Sequence, residues 1–99
     1  MEVTFADDDL ERIAIDPDFR SRLPDAVVTA YQKCLFIITN ARDERDLYSG
    51  YRSLHFEKLK GKRQHQHSMR LNKQFRLIVE LLGDGAEKTI HVVEIVDYH

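Results

Sequence analysis

The chain has 99 residues, enough for one domain built on a single core of one sheet and two or three helices, and too few for two independent cores. Its formal charge of −2 averages two unlike halves: residues 1–50 carry eleven acids against six bases, a balance of −5, whereas residues 52–76 carry eight bases and one acid, Glu57, a balance of +7. No apolar run approaches the roughly 20 residues that span a bilayer, and the chain opens on acids rather than on a basic stretch with an apolar core. A soluble chain that is not exported is expected, with a cytoplasmic location.

Residues 1–5 read as a short edge strand. Asp7-Asp8-Asp9 then places negative charge where a helix start favours it, with Leu10, Ile13 and Ala14 on one apolar face. This acidic run reads as a cap rather than a metal site. Asp16-Pro17-Asp18 ends that helix. Pro24 suits a first helical turn, and Val27, Ala30, Tyr31, Cys34, Leu35, Ile38 and Ala41 recur at spacings of three and four, which predicts the main helix over residues 23–41. The β-branched stretch Ile37-Ile38-Thr39 works against it. Cys34 falls inside this apolar pattern as the lone cysteine, so no internal disulfide is available and the thiol is expected to pack rather than react, as suits a reducing cytosol. Asp43 can cap a short third helix ending near Tyr48-Ser49-Gly50.

Beyond that point the periodicity changes from helical to alternating. Strands are predicted over residues 52–58, 65–71, 75–82 and 88–97, with Gly83-Asp84-Gly85 turning the chain into the last. Repeats, linkers and low-complexity segments are absent from the sequence. Helices followed by a meander describe an α+β fold, two or three N-terminal helices on one face of an antiparallel sheet of about four strands, in a single domain over residues 1–99.

The 71–75 hairpin carries the sharpest local inference. If Asn72-Lys73-Gln74 is a three-residue loop, Leu71 pairs with Phe75 and Arg70 stands directly opposite Arg76. Met69, Leu71, Phe75, Leu77 and Val79 then supply the core side. Like charges facing each other across a strand pair cost roughly 0.2 to 1 kcal/mol unless an acid or a bound anion lies between them. A polyanion such as a phosphodiester suits that position, because guanidinium fits phosphate bidentately. The alternative is that both arginines splay to solvent or pair with Glu57, Glu80 or Glu94.

Five histidines raise a metal question, since His65-Gln66-His67 would put two imidazoles on one face of a strand. No CxxC or HExxH arrangement accompanies them. His65 and His67 are expected to flank the basic face or pack at its edge, and His55 and His91 to be ordinary strand residues. Ser68 lacks a recognisable triad and is not read as a nucleophile. The last strand ends in Asp97-Tyr98-His99, which sets an acid, a phenol and an imidazole together at its end. Cations and proton-transfer groups therefore concentrate in the second half of the chain, as gripping or cleaving a phosphodiester requires.

The succession Leu59-Lys60-Gly61, then Gln66-His67-Ser68-Met69-Arg70-Leu71-Asn72-Lys73-Gln74-Phe75-Arg76-Leu77, then Val93-Glu94-Ile95-Val96-Asp97-Tyr98-His99 resembles the HigB branch of the RelE-like bacterial toxins. The resemblance covers about half the chain in its motifs and implies helices packed on a twisted antiparallel sheet. It further implies a type II toxin that cleaves messenger RNA in the ribosomal A site, with no metal or cofactor. A helix-turn-helix antitoxin of HigA type would hold it inactive, and operator DNA would be met only through that complex.

By the family's route the ribose 2′-hydroxyl attacks the adjacent phosphate. Arg70, Arg76 and Lys60 would stabilise the phosphate, Glu57 or Asp97 would serve as base, His99 as acid, and Tyr98 would orient substrate or relay a proton. Lys58, Lys62, Arg63, His67 and Lys73 would extend the grip on RNA. The chain departs from the family pattern in carrying Glu57 where several relatives have a histidine, His67 where an aromatic often precedes the serine, and Phe75 where a tryptophan is usual. These departures are expected to alter base stacking and codon preference. The competing expectation is a catalytically silent binding protein of the same fold, or a ParE-like gyrase poison.

Overall fold

The computed structural model describes residues 1–16, 18–19, 21–49, 54–83 and 88–97. Helix α1 (Asp8–Ile15) starts where the Asp7 carboxylate accepts the Leu10 N–H at 2.9 Å, with Asp8, Asp9 and Glu11 in its first turn. Helix α2 (Asp25–Asn40) follows Pro24, whose carbonyl accepts from Val27 and Val28 at 2.9 and 3.1 Å. The stretch Ile37-Ile38-Thr39 stays helical because Ile37 and Ile38 are buried in the core, and burial of an apolar face outweighs a small propensity cost. Cys34 is also buried, which pushes its thiol up to about 11 and leaves it a packing group. Helix α3 (Glu44–Ser49) follows Asp43, whose carboxylate accepts the Arg45 N–H at 2.9 Å.

Strands β1 (Glu2–Phe5), β2 (Glu57–Lys58), β3 (Gln66–Arg70), β4 (Phe75–Leu82) and β5 (Thr89–Asp97) form one sheet in the order β1-β5-β4-β3-β2. The expected antiparallel meander covers β2 to β5, but the sheet is mixed, because β1 joins β5 in parallel. That register sets Val3 and Phe5 beside Ile90 and Val92, so the apolar sets of the first and last strands meet on the helix side. A second difference lies at residues 52–58, of which only Glu57–Lys58 is strand. Leu54 and Phe56 are both buried while His55 between them takes a positive φ of 49°, so the local chain cannot run extended. Arg52 and Ser53 lie outside the described residues, as do Gly50, Asp84 and Gly85. His55 is thus an exposed connector rather than a strand residue.

Between β4 and β5 the register shifts: Ile78 pairs with Glu94 and Val79 with Val92, leaving Val93 as the extra residue of a bulge. The core lies between α1, α2 and the sheet, and among the described residues Val27, Tyr31, Ile38, Met69, Leu77, Val79, Ile90 and Val92 are fully buried in it. No described helix is long and apolar enough to cross a membrane.

Tyr31 joins the helices through this core, its buried hydroxyl donating to the Leu10 carbonyl at 2.8 Å. Removing the donor forfeits a buried hydrogen bond, which costs about 0.5–1.5 kcal/mol. Tyr31→Phe is therefore expected to lower the melting temperature by roughly 5–10 °C, measured by calorimetry.

Candidate functional site

The β3–β4 hairpin builds the site. Asn72 Oδ1 accepts the N–H groups of Gln74 and Phe75 at 2.8 and 2.7 Å, and the Leu71 N–H donates to the Phe75 carbonyl at 3.0 Å. This Asx-type closure fixes the loop length, and the register pairs Arg70 with Arg76 as the sequence predicts. Met69, Leu71, Leu77 and Val79 are buried on the helix side, with Phe75 packed against the same core. By alternation Ser68, Arg70, Arg76 and Ile78 lie on the other face. Strand β2 adds Glu57 opposite Ser68, and β5 adds Glu94 and Val96 opposite Ile78 and Arg76.

Among the described residues, Glu57 and Ser68 both hold Arg76. Its Nη1 donates to Glu57 Oε1 at 3.2 Å and to Ser68 Oγ at 3.2 Å. The Ser68 hydroxyl is fully buried, whereas the Glu57 side chain is 60% exposed. Of the two readings of the arginine pair, an acid therefore answers Arg76. Arg70 differs: its Nε reaches only the Asn72 carbonyl at 3.4 Å, and among the described residues it forms no ion pair. A guanidinium without a counterion beside one that has a weakly held carboxylate is an anion-accepting arrangement.

The β2–β3 connection folds over the same face. Lys60 leads into a single 3₁₀ turn, Gly61–Arg63, entered at Gly61 with a φ of +68° that would strain any side chain. Arg63 forms an ion pair with Glu94, and His65 Nε2 lies 3.3 Å from Glu80. Lys58, Lys60, Lys62 and Lys73 are exposed and, among the described residues, form no ion pair.

One sequence-predicted site residue stands elsewhere. His67, expected on the RNA-contacting surface, is 8% exposed, because it shares the strand parity of Met69 rather than of Arg70. Its ring stacks on Phe56 with centroids 4.8 Å apart and shares a 3.0 Å hydrogen bond with the Tyr48 hydroxyl, while Nδ1 has no partner among the described residues. Burial, with Lys58 and Lys88 nearby, holds its pKa below the ordinary 6.5, against the opposing pull of Glu44. Asp97 pairs with Phe75, one position out of phase with Arg76↔Val96, and accepts from Gln74 Nε2 at 3.0 Å. Tyr98 and His99 lie outside the described residues. No group of three or more His, Cys, Asp or Glu side chains suited to a metal ion occurs among the described residues. Sequence reasoning passed over Ser68 as a positioning group, although its spacing of two from Arg70 is the available signal.

The His67 environment has a pH signature. Because the folded chain lowers the imidazole's proton affinity, the unfolded chain takes up the proton first, so this contribution to stability is intact above pH 6.5 and declines as pH falls through that value. Urea unfolding is expected to show wild-type stability dropping as pH falls below about 6.5, with a shallower drop in His67→Phe. Equal slopes in the two proteins would assign the loss to other groups.

Comparison with known proteins adds the family. No curated protein sequence is significantly similar to the chain. Among solved structures, the YoeB/ParE toxin from Agrobacterium tumefaciens shares its fold, with a TM-score of 0.63 and 21% identity over 100% of each chain. The chain matches the family model of HigB-like toxins, RelE-like toxins of the type II toxin-antitoxin system HigB, over residues 3–99. That match takes in the helices, the arginine hairpin and the last strand together, and on it the chain belongs to the HigB-like toxins of type II toxin-antitoxin systems.

Proposed function

We propose that this toxin is an endoribonuclease that cleaves messenger RNA in the ribosomal A site through attack of a ribose 2′-hydroxyl on the adjacent phosphate. The observation that carries this reading is the Arg70–Arg76 pair on one sheet face, with Glu57 held against Arg76 at 3.2 Å. In-line attack builds negative charge on the phosphate, and two guanidiniums at fixed register stabilise that charge without reorganising. Lys60 adds a third cation from the adjacent connection.

The attacking hydroxyl needs a base, and the departing 5′-oxygen needs an acid. Glu57 and Asp97 are the candidate bases. Contact with Arg76 favours Glu57, while the register of β5 sets Asp97 out of phase with that arginine. His99 is assigned the acid role and Tyr98 substrate orientation or proton relay, both on the family resemblance. Side chains fill every role, and neither a metal nor a cofactor is called on.

Lys58, Lys62 and Lys73 grip the messenger or ribosomal backbone, and Arg63 joins them because an exposed pair such as Arg63–Glu94 is weak enough to exchange. His67 contributes by supporting β3 from beneath. The partners in this reading are the ribosome and its message, and a HigA-like helix-turn-helix antitoxin through which alone operator DNA is met. Its setting is the cytoplasm.

Arg76→Ala is expected to lower cleavage of translated messages at least about 100-fold and to relieve growth arrest in a bacterial host, with the melting curve retained. Deletion of Tyr98-His99 is expected to do the same. A deletion variant that degraded messages at the original rate would remove the terminus from the mechanism.

Purified protein is expected to cut messages on programmed ribosomes and to spare the same RNA free in solution. Equal cutting would exclude ribosome dependence. Codon-positioned ends in mapped transcripts identify a nuclease, whereas DNA-damage signalling without such ends would identify a gyrase poison.

A further inference from the structure

We infer that Glu57 is the resident anion of the phosphate site: its carboxylate occupies the guanidinium edge of Arg76 that a substrate phosphate takes, and substrate binds by displacing it. The inference rests on the phosphodiester reading of this face and adds an exchange step to it.

The contacts that Glu57 and Ser68 make with Arg76 are unequal in a way that favours exchange. The Ser68 hydroxyl is fully buried in the middle of β3 and holds Nη1 at 3.2 Å. Glu57, at the same distance, projects from a two-residue strand at the edge of the sheet with its side chain 60% exposed. Exposed ion pairs contribute only about 0.2–1 kcal/mol, so the carboxylate is an easily displaced ligand while Ser68 keeps the guanidinium aimed.

Arg70 decides the competition. It stands directly across from Arg76 and, among the described residues, has no acid of its own. The carboxylate contacts Arg76, whereas a phosphate lying between the two side chains engages both guanidiniums and carries more charge-assisted bonds. The exchange leaves the displaced carboxylate beside the bound phosphodiester. In the empty protein the same carboxylate offsets part of the repulsion between the arginines.

The test is a binding cycle with a 2′-O-methyl RNA oligonucleotide, which lacks the attacking hydroxyl and reports affinity without cleavage. Wild type, Glu57→Gln, Arg76→Ala and the double variant are titrated by fluorescence anisotropy, with thermal melts to verify folding and Glu57→Ala as a second removal of the carboxylate.

Glu57→Gln is expected to tighten binding roughly two- to fivefold, the ratio an exposed pair supports. The same change in the Arg76→Ala background should give little gain, because the competitor then has nothing to occupy. An equal gain in both backgrounds would show general repulsion of RNA by the carboxylate and overturn the inference. Unchanged or weaker binding in Glu57→Gln, or no binding by either protein, would overturn it as well. Cleavage of translated messages is scored separately: a toxin that cuts messages yet shows no gain loses only the exchange step. One that shows the gain and cuts nothing loses only the nuclease reading.

Discussion

The register of one hairpin governs this molecule. Arg70 and Arg76 face each other because Asn72 closes a loop of fixed length, and the same closure turns Met69 and Leu77 into the core, where both are fully buried. A slip of one residue would carry the arginines toward the helices and the apolar residues toward water. The charge pair is therefore held by the burial behind it: its repulsion is a fraction of a kcal/mol to about 1 kcal/mol, against about 1.5–3 kcal/mol for each large apolar side chain that the register buries. Folding energy fixes a like-charge contact that the chain would not adopt on electrostatics alone.

Around that contact the basic half of the chain sorts into two groups. Arg76 and Arg63 are answered by Glu57 and Glu94 on the same sheet face, while Arg70 and the lysines of the two connections have no acid partner among the described residues. The paired cations are kept in place, and the others supply the outward field. A net charge of −2 hides this arrangement because the compensating acids lie in the first fifty residues and in residues 77–99. The proposed action on RNA would give the field a purpose, since a chain that grips a polyanion needs its positive potential gathered rather than spread throughout.

Local signals made much of this legible. The cap of α1, the periodicity of α2, the whole of β4 and the 71–75 loop depend on near neighbours, so residue spacing suffices to place them. The parallel union of β1 with β5 was not legible, because its partners lie at opposite ends of the chain and both strands show ordinary alternation. The burial of His67 was available from the parity that places Met69 and Leu71 inside, but the imidazole's chemistry suggested a surface role. Likewise Leu54-His55-Phe56 reads as alternation, and only the left-handed backbone at His55 breaks it. Glu57 stood among the possible acids for the arginine pair, yet choosing it over Glu80 and Glu94 needed the order of strands across the sheet.

The bulge at Val93 also sets the handedness of the chain's ending. Before it, the even-numbered residues Ile90 and Val92 point into the core; after it, Ile95 does, and Glu94 and Val96 fall opposite Ile78 and Arg76. One unpaired valine thus works as a phase inverter between a segment that serves the interior and a segment that serves the charged surface. A strand without it would meet the arginines with Ile95 and would send Glu94 toward the apolar layer, so the polarity of the carboxyl-terminal segment is decided by a backbone irregularity rather than by the side chains that display it.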